Sequence, residues 1–507
     1  MDFFKFDGYV WQRLSEILCY DVTAPMTLAS GFFLFAFFVF GIGYMAVRNR
    51  RVARTIYVAA VSLYFYYKVS GLFVLLLLFV ATSDYLIGRR VAKLRDAQRS
   101  ARPWVALSVV INVLILAYFK AGGHFETAVN NIFGNGTINF GEILVPAGVS
   151  FFVFQSISYV IDISRGVIAP VKRYTDYLFL LSFFPKVFLG PLVRNKEFIP
   201  QIESERLVVT RDDLGRAAWL IACGLVKYGV IAKAIDALLL IPSVSGEFGD
   251  SGVVMLVALM GFGIRLYCDF SGYSDMAIGI ALMMGYKLPD NFDAPYKSAT
   301  ITEFWRRWHI SLSTWLRDYV YISLGGNRKG RVRTYINLII TMFVCAMWHR
   351  VNLPYVAWGL LQGGGLALHK LWLESVPGAK VSGKDMKLGW RIVATFSCYS
   401  FITLTWSMLC MDTWEGVADM FTKIFTNFSA AEFMTLVHKA GFALVLVAIG
   451  YVLHFLPKRL NGTFVGLVTR LGFVGQLVIV VVAIWLVMQA QLMLAGDGGG
   501  LPVYAAF

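Results

Sequence analysis

Long apolar stretches recur along the whole chain and limit what it can fold into more than any other feature. Eight of them approach or exceed the roughly 20 residues that a helix needs to cross a bilayer; they lie at 26–47, 104–122, 143–163, 214–241, 252–285, 391–411, 439–456 and 471–495. The chain is 58% hydrophobic and only 15% charged, whereas soluble domains carry about 25% charged residues. The sequence therefore predicts an all-α integral membrane protein with many spans.

Further apolar stretches are shorter or interrupted, and they lie at 55–68, 71–88, 176–193, 334–348 and 352–369. We expect that these are not simple spans. Backbone that is not helical is tolerated at membrane depth only where protein or a water-filled cavity covers it, so the short stretches predict re-entrant segments around a cavity. The chain shows no internal repeat and no soluble domain, which predicts a single polytopic domain over residues 1–507.

The net charge of +15 could reflect nucleic-acid binding in principle. Because cytoplasmic loops of membrane proteins carry excess Lys and Arg, the bilayer explains the charge and no nucleic-acid partner is expected. Basic loops alternate with loops that lack Lys and Arg, such as 124–142 and 242–250. This alternation predicts an N-terminus outside. No removable signal peptide is expected at the N-terminus. The basic residues Lys380 and Lys384 are predicted inside, and the tail with Asp497 is predicted outside.

Several chemistries lack support in the sequence. The six cysteines lie mostly in apolar stretches without a C-x-x-C pair, so neither a disulfide framework nor a metal site is expected. The chain contains no G-x-S-x-G, Walker A, H-E-x-x-H or Rossmann pattern, which removes the usual signatures of serine hydrolysis, ATP hydrolysis and zinc catalysis. The function classes that remain for this chain are acid–base catalysis and transport.

The longest polar interval, 286–333, contains the stretch EFWRRWHISLSTWLRDYVY. Thr300 and Glu303 form a capping-box pattern at its start. Helical spacing then predicts one face of an amphipathic helix at the inner membrane surface, formed by Trp305, Trp308, His309, Leu312, Leu316 and Tyr319. His309 is either a buried histidine satisfied by hydrogen bonds or a functional group. The basic residues around 328–333 are either a solvated cytoplasmic loop or an electrostatic funnel for an anionic donor.

His349 ends an apolar run that starts from the basic inner loop. Tyr335 lies 14 positions earlier, which is about 21 Å of helix and places the imidazole inside a hydrocarbon core about 30 Å thick. An ionisable group at that depth is a functional candidate, and imidazole can take and return a proton near neutral pH. A packing histidine bonded to a carbonyl is the alternative. Pro354 and the glycines at 363–365 predict irregular backbone beside it.

Other polar residues fall inside apolar stretches and serve either as hydrogen-bonded contacts between helices or as the walls of a polar path. They are Gln155, Ser156, Ser158, Tyr159, Asp162, Lys186, Arg194, Asp269 and Asp275. Several buried acids and bases in one bundle imply that they pair with one another.

These motifs together resemble the membrane-bound O-acyltransferase family. The block YCDFSGYSDMAIGIALMMGYKLPDNFDAPYKSATITEFWRRWHISLSTWLRDYVYISLGGNRKG is similar to the family signature, most of all to its bacterial alginate O-acetylation branch. Upstream, ILVPAGVSFFVFQSISYVIDISRG and LSFFPKVFLGPLVRNKEFIPQI match in the same order, and MWH…WGLLQGG matches the histidine motif downstream. The resemblance covers about residues 28–410 and leaves extra C-terminal spans at 411–507.

The resemblance implies a helical bundle with a central tunnel, in which His349 is the catalytic base and His309 the second family histidine. Two positions depart from the branch: Arg350 stands where glycine is usual, and Gln362 where a histidine is usual. The residues expected to bind substrate or to support the histidines are Gln155, Asp269, Ser271, Tyr273, Asp275, Trp305, Arg306, Trp308, Arg317, Asp318, Trp348, Arg350 and Gln362.

The expected function is membrane-embedded O-acyl transfer. Acetyl from a cytoplasmic thioester, acetyl-CoA, would cross the bacterial inner membrane to an alginate-like exported or cell-surface polysaccharide, with an extracytoplasmic acetyltransferase as partner. No bound cofactor or metal is expected. The alternatives are D-alanyl or other acyl transfer from a carrier protein, transport without acyl chemistry, and a scaffold for polymer export.

Overall fold

A computed structural model of the chain describes residues 18–21, 25–134, 137–141, 143–376, 378 and 386–494. Every regular element in these ranges is a helix, which confirms the all-α prediction. Within the same ranges, seven helical stretches are long and apolar enough to cross a bilayer: Arg51–Asp96, Arg102–Phe133, Gly252–Met283, Arg331–His349, Leu388–Cys410, Ala430–Phe455 and Gly472–Leu494. The protein is therefore a multi-pass membrane protein. The predictions for the N-terminus, for Lys380 and Lys384 and for the tail with Asp497 concern residues outside these ranges.

The helices fall into two compact units, and the first comprises the chain up to Val209 together with Met284–Lys287. Its helices are α1 (Gly31–Val47), α2 (Arg51–Ser70), α3 (Val74–Asp96), α4 (Arg102–Phe133), α5 (Val149–Ser164), α6 (Tyr174–Ser182) and α7 (Asn195–Glu203). A single 3₁₀ turn, Gly71–Phe73, joins α2 to α3. Gly71 there has φ +57°, a left-handed conformation that residues with a Cβ adopt at a cost.

The second unit contains Thr210–Met283 and the chain from Leu288 onward. Its helix α8 (Arg211–Leu225) runs on without a break through π-helical turns to Val244. The others are α9 (Gly252–Met283), α10 (Ile301–Arg307), α11 (Ile310–Trp315), α12 (Arg331–His349), α13 (Leu353–Ser375), α14 (Leu388–Thr405), α15 (Trp414–Thr426), α16 (Ala430–Phe455), α17 (Lys458–Arg470) and α18 (Gly472–Leu494). A 3₁₀ turn, Pro295–Lys297, precedes α10, and a π-helical turn, Leu316–Tyr321, follows α11.

Some predicted segment lengths are wrong. Three stretches looked too short because charged residues flank them, and the helices extend into those residues. They are 55–68 in α2, 71–88 mostly in α3 and 334–348 in α12, and the helices have 20, 23 and 19 residues. In contrast, the stretch 143–163 contains a helix of only 16 residues, α5. The interruption predicted within 176–193 is confirmed, since residues 183–194 between α6 and α7 are not helical.

The irregular backbone predicted beside His349 is found at residues 350–352, which are not helical, but not at Pro354 or at the glycines. Pro354 lies in the first turn of α13, where its missing N–H has no intrahelical partner to lose. The glycines lie within this regular 23-residue helix. A Cβ at Gly359 would lie 2.6 Å from the Cβ of Ala346, and one at Gly363 would lie 2.7 Å from the Cα of Ile339. The glycines therefore allow α13 to pack closely on α12, as small residues do in membrane helix pairs, and this packing positions His349 at the end of α12.

Candidate active site

The backbone breaks at His309, between α10 and α11. Thr300 caps α10 as predicted, because its side chain accepts a hydrogen bond from the backbone N–H of Glu303 at 3.1 Å. The predicted continuous amphipathic helix is nevertheless wrong, since α10 ends at Arg307 and His309 has φ +42° and ψ +56°. This left-handed conformation costs roughly 1–2 kcal/mol for a residue with a Cβ. Other contacts must therefore hold the imidazole where it is.

Asn291 supplies those contacts. Its backbone carbonyl accepts from the N–H of Ile310 at 2.9 Å. Its side-chain Oδ1 lies 3.1 Å from His309 Nδ1, 3.2 Å from the backbone N of Ser311 and 2.8 Å from Ser311 Oγ. The Nδ2 group donates to Ser274 Oγ on α9 at 3.2 Å. One fully buried amide thus joins the turn at His309 to a long helix of the same unit.

This hydrogen-bond pattern determines which nitrogen of His309 carries the proton. A backbone N–H can only donate, so the atom that Ser311 contacts is the carbonyl oxygen of Asn291. The imidazole nitrogen that faces the same oxygen must then donate as well, which places the proton on Nδ1. In the neutral ring Nε2 keeps a free lone pair. That nitrogen is buried and contacts no hydrogen-bond partner among the residues that the structure describes.

The surroundings of His309 are apolar. Its side chain is 2% exposed, the ring of Phe270 meets it edge to face at 4.5 Å between centroids, and the Trp348 ring lies at 6.3 Å. Burial lowers the pKa of His309 well below its usual range, and the nearby His349 lowers it further. The imidazole is therefore neutral at neutral pH, with its basic nitrogen available to accept a proton or a hydrogen bond.

His349 is the last residue of α12 and is 8% exposed. Aromatic rings surround it: Trp348 at 4.3 Å, Trp358 at 5.8 Å and Tyr355 at 6.5 Å between centroids. The indole of Trp348 contacts both histidine rings. The structure thus brings together, in one unit, the two histidines that the sequence singles out from separate stretches.

The tryptophans form a continuous wall beside the histidines. Trp308 packs on Trp406 at 5.2 Å, Trp406 stacks on Trp358 at 6.3 Å, and Trp305 meets Trp358 edge to face at 5.9 Å. Because α10, α13 and the end of α14 each contribute an indole, this wall holds the three elements around one centre. The dense tryptophans of the EFWRRWH stretch thus serve as packing for the site.

Gln362 is fully buried at the back of this wall. Its Oε1 accepts from Trp305 Nε1 at 3.1 Å, and its Nε2 donates to Thr405 Oγ1 at 2.8 Å. The amide therefore links α10, α13 and α14. This arrangement explains how the chain accommodates glutamine at the position that the resemblance assigns to a histidine.

Arg350 is directed away from the centre. Its side chain is 48% exposed and forms an ion pair with Asp412. By contrast, the indole N–H of Trp358 is buried beside His349 and has no acceptor within the described ranges. A hydrogen-bond donor next to the imidazole is thus available on Trp358 rather than on Arg350.

The signature residues of α9 mostly face other helices. Asp275 forms an ion pair with Lys227 at 2.7 Å. Asp269 lies 4.0 Å from Arg265, one turn away. The ring of Tyr273 contacts Tyr228 at 6.3 Å, and Ser271 is buried. Lys227 and Tyr228 lie in the π-helical segment after α8, so Asp275 and Tyr273 link α9 to that segment, whereas Asp269 contacts its own helix. Phe270 and Ser274, four positions apart on one face, contact the segment around His309.

The remaining predicted residues lie apart from the two histidines. Arg306 is exposed, and Arg317 pairs with its neighbour Asp318 at 2.7 Å in the π-helical turn after α11. Gln155 belongs to the first unit, where its Nε2 donates to Asn195 Oδ1 at 2.6 Å.

Several contact residues were missed from the sequence: Phe270, Ser274, Asn291, Trp358, Thr405 and Trp406. Asn291 had one signal, because it lies in the short polar run PDNFD next to the capped helix. Trp358 also had a signal, because it begins the WGLLQGG part of the matched histidine motif, whereas no motif pointed to Trp406. Among the residues with described positions, no cluster of three or more His, Cys, Asp or Glu side chains could hold a metal ion.

Comparison with known proteins places this site in a family. The pattern described as MBOAT, membrane-bound O-acyltransferase family, matches residues 172–413, which include both histidines. The probable alginate O-acetylase AlgI of Pseudomonas aeruginosa is 38% identical over 349 residues, 68% of this chain and 66%, just under two thirds, of that relative.

Two more relatives are named for other activities. The peptidoglycan O-acetyltransferase of Helicobacter pylori is 30% identical over 414 residues, 74% of this chain and 75% of that protein. The teichoic acid D-alanyltransferase of Streptococcus thermophilus is 33% identical over 269 residues, 50% of this chain and 62% of that protein. With this extent of similarity and its multi-pass helical fold, the chain belongs to the membrane-bound O-acyltransferase family.

Proposed function

We propose that this protein transfers an acetyl group from a cytoplasmic thioester, acetyl-CoA, across a bacterial inner membrane for O-acetylation of an exported or cell-surface polysaccharide. Relatives are named for acetyl transfer to alginate and to peptidoglycan, and both are carbohydrate polymers outside the cytoplasm. The sugar hydroxyl receives the acetyl group directly or through an extracytoplasmic partner transferase. The central tunnel through which donor and acceptor meet is part of this proposal.

One observation carries the proposal most strongly: two buried imidazoles share the indole of Trp348, and one of them has a bare Nε2. A group that orients a sugar acceptor by accepting a hydrogen bond must present an unprotonated atom. Burial keeps His309 neutral, and the hydrogen bond from Nδ1 to Asn291 leaves its Nε2 as an acceptor. In this state His309 can accept a hydrogen bond from a sugar hydroxyl and orient the acceptor for acyl transfer.

The proposed reaction divides the work between the two histidines. His349, which the resemblance identifies as the base, takes the proton of the acceptor hydroxyl while the oxygen attacks the thioester carbonyl. The tetrahedral intermediate collapses with cleavage of the carbon–sulfur bond, and the leaving thiolate takes the proton back from His349. His309 accepts a hydrogen bond at Nε2 from a second hydroxyl of the sugar and thereby orients the acceptor, whose reacting hydroxyl gives its single proton to His349. It cannot stabilise the oxyanion, because a neutral ring protonated on Nδ1 has no donor at Nε2.

The oxyanion needs a different donor, and we assign it to the indole N–H of Trp358. Arg350 pairs with Asp412 in the open, and Gln362 already bonds Trp305 and Thr405. The Trp358 N–H is buried near His349 with no acceptor within the described chain. A donor directed at the developing negative charge in a site without water typically contributes about 2.7–4 kcal/mol to catalysis.

The test is acetylation by the purified protein in vesicles, with labelled acetyl-CoA outside and a polysaccharide acceptor inside. His349→Ala should lower the rate by about 10²–10⁴-fold, the usual contribution of a general base. His438→Ala is the matched control, since that histidine is exposed on α16 and should not change the rate.

Three results would contradict the proposal. They are full activity of His349→Ala, transfer of D-alanine from a carrier-protein thioester without transfer of acetyl from acetyl-CoA, and flux of an intact solute without transfer of label. The last of these would favour a transporter. Expression level and elution volume of both variants establish that the loss in His349→Ala does not come from misfolding.

A further inference from the structure

An open groove lies on the flank of the second unit between α14 and α16, and its volume is about 600 Å³. This is within the roughly 300–1,000 Å³ of ordinary ligand sites. Leu388 and Phe396 on one side are 75% and 69% exposed, and Phe455 on the other side is 48% exposed. In a membrane-spanning region these apolar walls face lipid chains.

Tyrosine hydroxyls close the floor of the groove. The Tyr399 and Tyr451 hydroxyls lie 2.5 Å apart, and Tyr451 also donates to the backbone carbonyl of Met260 on α9 at 2.9 Å. The polar groups of the floor are thus satisfied by one another and by the backbone. What remains open to the bilayer is an apolar channel along the two helices.

Cationic side chains line one end of the groove, where α14 begins and α16 ends. They are Lys297 and Arg391. Lys297 reaches the backbone carbonyl of Leu456 at 2.6 Å, and Arg391 pairs with no carboxylate within the described ranges. Two neighbouring cations are already compensated, because Arg307 pairs with Glu303 at 2.6 Å and Lys458 pairs with Asp293. The end of the groove therefore carries two charges that its own carboxylates do not neutralise.

The local field is strongly positive at this end. Burial lowers the pKa of Lys297, and the nearby Arg307, Lys458 and Arg391 lower it further, partly offset by Asp293. The first turn of α14 has no acidic residue, so its N-terminal dipole adds to the positive potential. An anion at this position would lower the energy of all of these groups.

We infer that this groove binds an anionic phospholipid, with one acyl chain along the channel between α14 and α16 and the phosphate between Lys297 and Arg391. Basic pockets between membrane helices on the cytoplasmic side are typical sites for anionic head groups, and the positive-inside pattern places this end on that side. Apolar walls and an uncompensated basic end together match a lipid better than a water-soluble anion. The inference does not depend on the proposed acyl transfer.

The experiment uses the full-length protein in nanodiscs of phosphatidylcholine that contain a small fraction of phosphatidylglycerol with a photoactivatable group in one acyl chain. After irradiation, mass spectrometry of the digested protein should find the label on α14 and α16 near Phe396 and Phe455. Unlabelled phosphatidylglycerol should compete for this labelling, and added phosphatidylcholine should not.

Variants separate the head-group contact from the apolar channel. Lys297→Gln with Arg391→Gln should reduce labelling by about tenfold, because two basic residues near the membrane surface are removed. Arg328→Gln with Lys329→Gln removes the same charge from an exposed loop and should leave labelling within about twofold. Ile392→Trp fills the channel from its lipid-facing wall and should also reduce labelling, with both cations intact.

Several outcomes would overturn the inference. They are unchanged labelling in the Lys297/Arg391 variant, equal competition by phosphatidylcholine, and displacement of the label by acetyl-CoA or by a free fatty acid rather than by phospholipid. Thermal unfolding of each variant in detergent shows whether a loss of labelling reflects a loss of fold.

Discussion

The two histidine regions of this protein are built in opposite ways. His309 lies in a backbone turn with φ +42° and is held by hydrogen bonds to the oxygens of Asn291, a residue 18 positions earlier. His349 ends a regular spanning helix, α12, and is positioned by packing: glycines bring α13 close to α12, and aromatic rings surround the imidazole. The first region relies on polar geometry and the second on apolar contact.

This difference suggests different tasks. Hydrogen bonds define the orientation of a ring and its tautomer, which suits a group that must present one nitrogen to a substrate. Aromatic packing excludes water, which suits a group that takes up and returns a proton. Substitutions that remove one kind of support at a time can test whether the two histidines divide the reaction in this way.

The largest expected effect is on the packed region. Trp358→Phe keeps an aromatic ring beside His349 but removes the buried N–H, and we expect transfer to slow by about 10²–10³-fold. Arg350→Ala is its matched control and should change the rate only a few-fold, because that side chain is exposed and bonded to Asp412. Initial rates of acetyl transfer at saturating donor measure both variants. A larger loss of rate in Arg350→Ala than in Trp358→Phe would show that Arg350, and not Trp358, donates to the oxyanion.

The polar region is tested by Asn291→Ala. Without the acceptor for Nδ1–H, His309 loses its fixed tautomer and its left-handed turn loses support. We expect kcat to fall by about 10–100-fold, as for a small misplacement of a reacting group, with little change in KM. Steady-state kinetics measure the two constants separately.

Two companion variants distinguish positioning by Asn291 from a general loss of structure. Asn291→Asp keeps the acceptor oxygen and should restore part of the activity. Ser311→Ala removes the 2.8 Å hydroxyl contact to the same oxygen and should have a much smaller effect. Equal losses in Asn291→Ala and Ser311→Ala would show that the turn, and not the imidazole, is what Asn291 supports.

Gln362→Leu tests the link between the two regions, since Gln362 joins α10, near His309, to α13, near His349. The variant leaves the Trp305 N–H and the Thr405 hydroxyl without their buried partner, at a cost of about 1–3 kcal/mol in the free energy of unfolding. Gln362→His can bond both neighbours through its ring nitrogens and should cost less. Thermal unfolding in detergent compares them, and equal midpoints for Leu and His would rule out the link.

The sequence predicted the membrane class, the cap at Thr300 and both histidines, because hydrophobicity and short-range capping are local properties. The break at His309 was not predictable from spacing. It depends on Asn291, which offers the turn an acceptor across the fold and so overrides helical periodicity. Likewise, the run of glycines predicted irregular backbone. Only the structure shows that Gly359 and Gly363 allow α13 to pack closely on α12.

The same difference between local sequence properties and contacts of the folded chain applies to the predicted site residues. Asp269, Tyr273 and Asp275 were predicted as site residues from their place in the signature, yet their contacts are with Arg265, Tyr228 and Lys227. Each of them lies one residue away from Phe270 or Ser274, which puts it on another face of α9. A helical rotation of about 100° per residue decides which of them reach His309, and the sequence does not reveal which face is turned toward the site.

The smallest expected effect concerns pH, and it tests whether His309 is truly held neutral. Burial lowers its pKa below the usual 6.5, so the unfolded chain binds a proton at a higher pH than the folded protein does. Folding stability must then fall as pH drops below about 6.5, by at most about 1.4 kcal/mol per pH unit for one group.

His309→Gln removes the group that binds this proton in the unfolded chain, so the stability of the variant should fall less steeply than that of the wild type between about pH 6.5 and 5. His438→Gln, at an exposed site, should keep the wild-type slope. Denaturant unfolding at several pH values measures these slopes. If His309→Gln and the wild type fall in parallel, His309 is not held neutral, its Nε2 is not a free acceptor, and the contrast between the two histidine regions is lost.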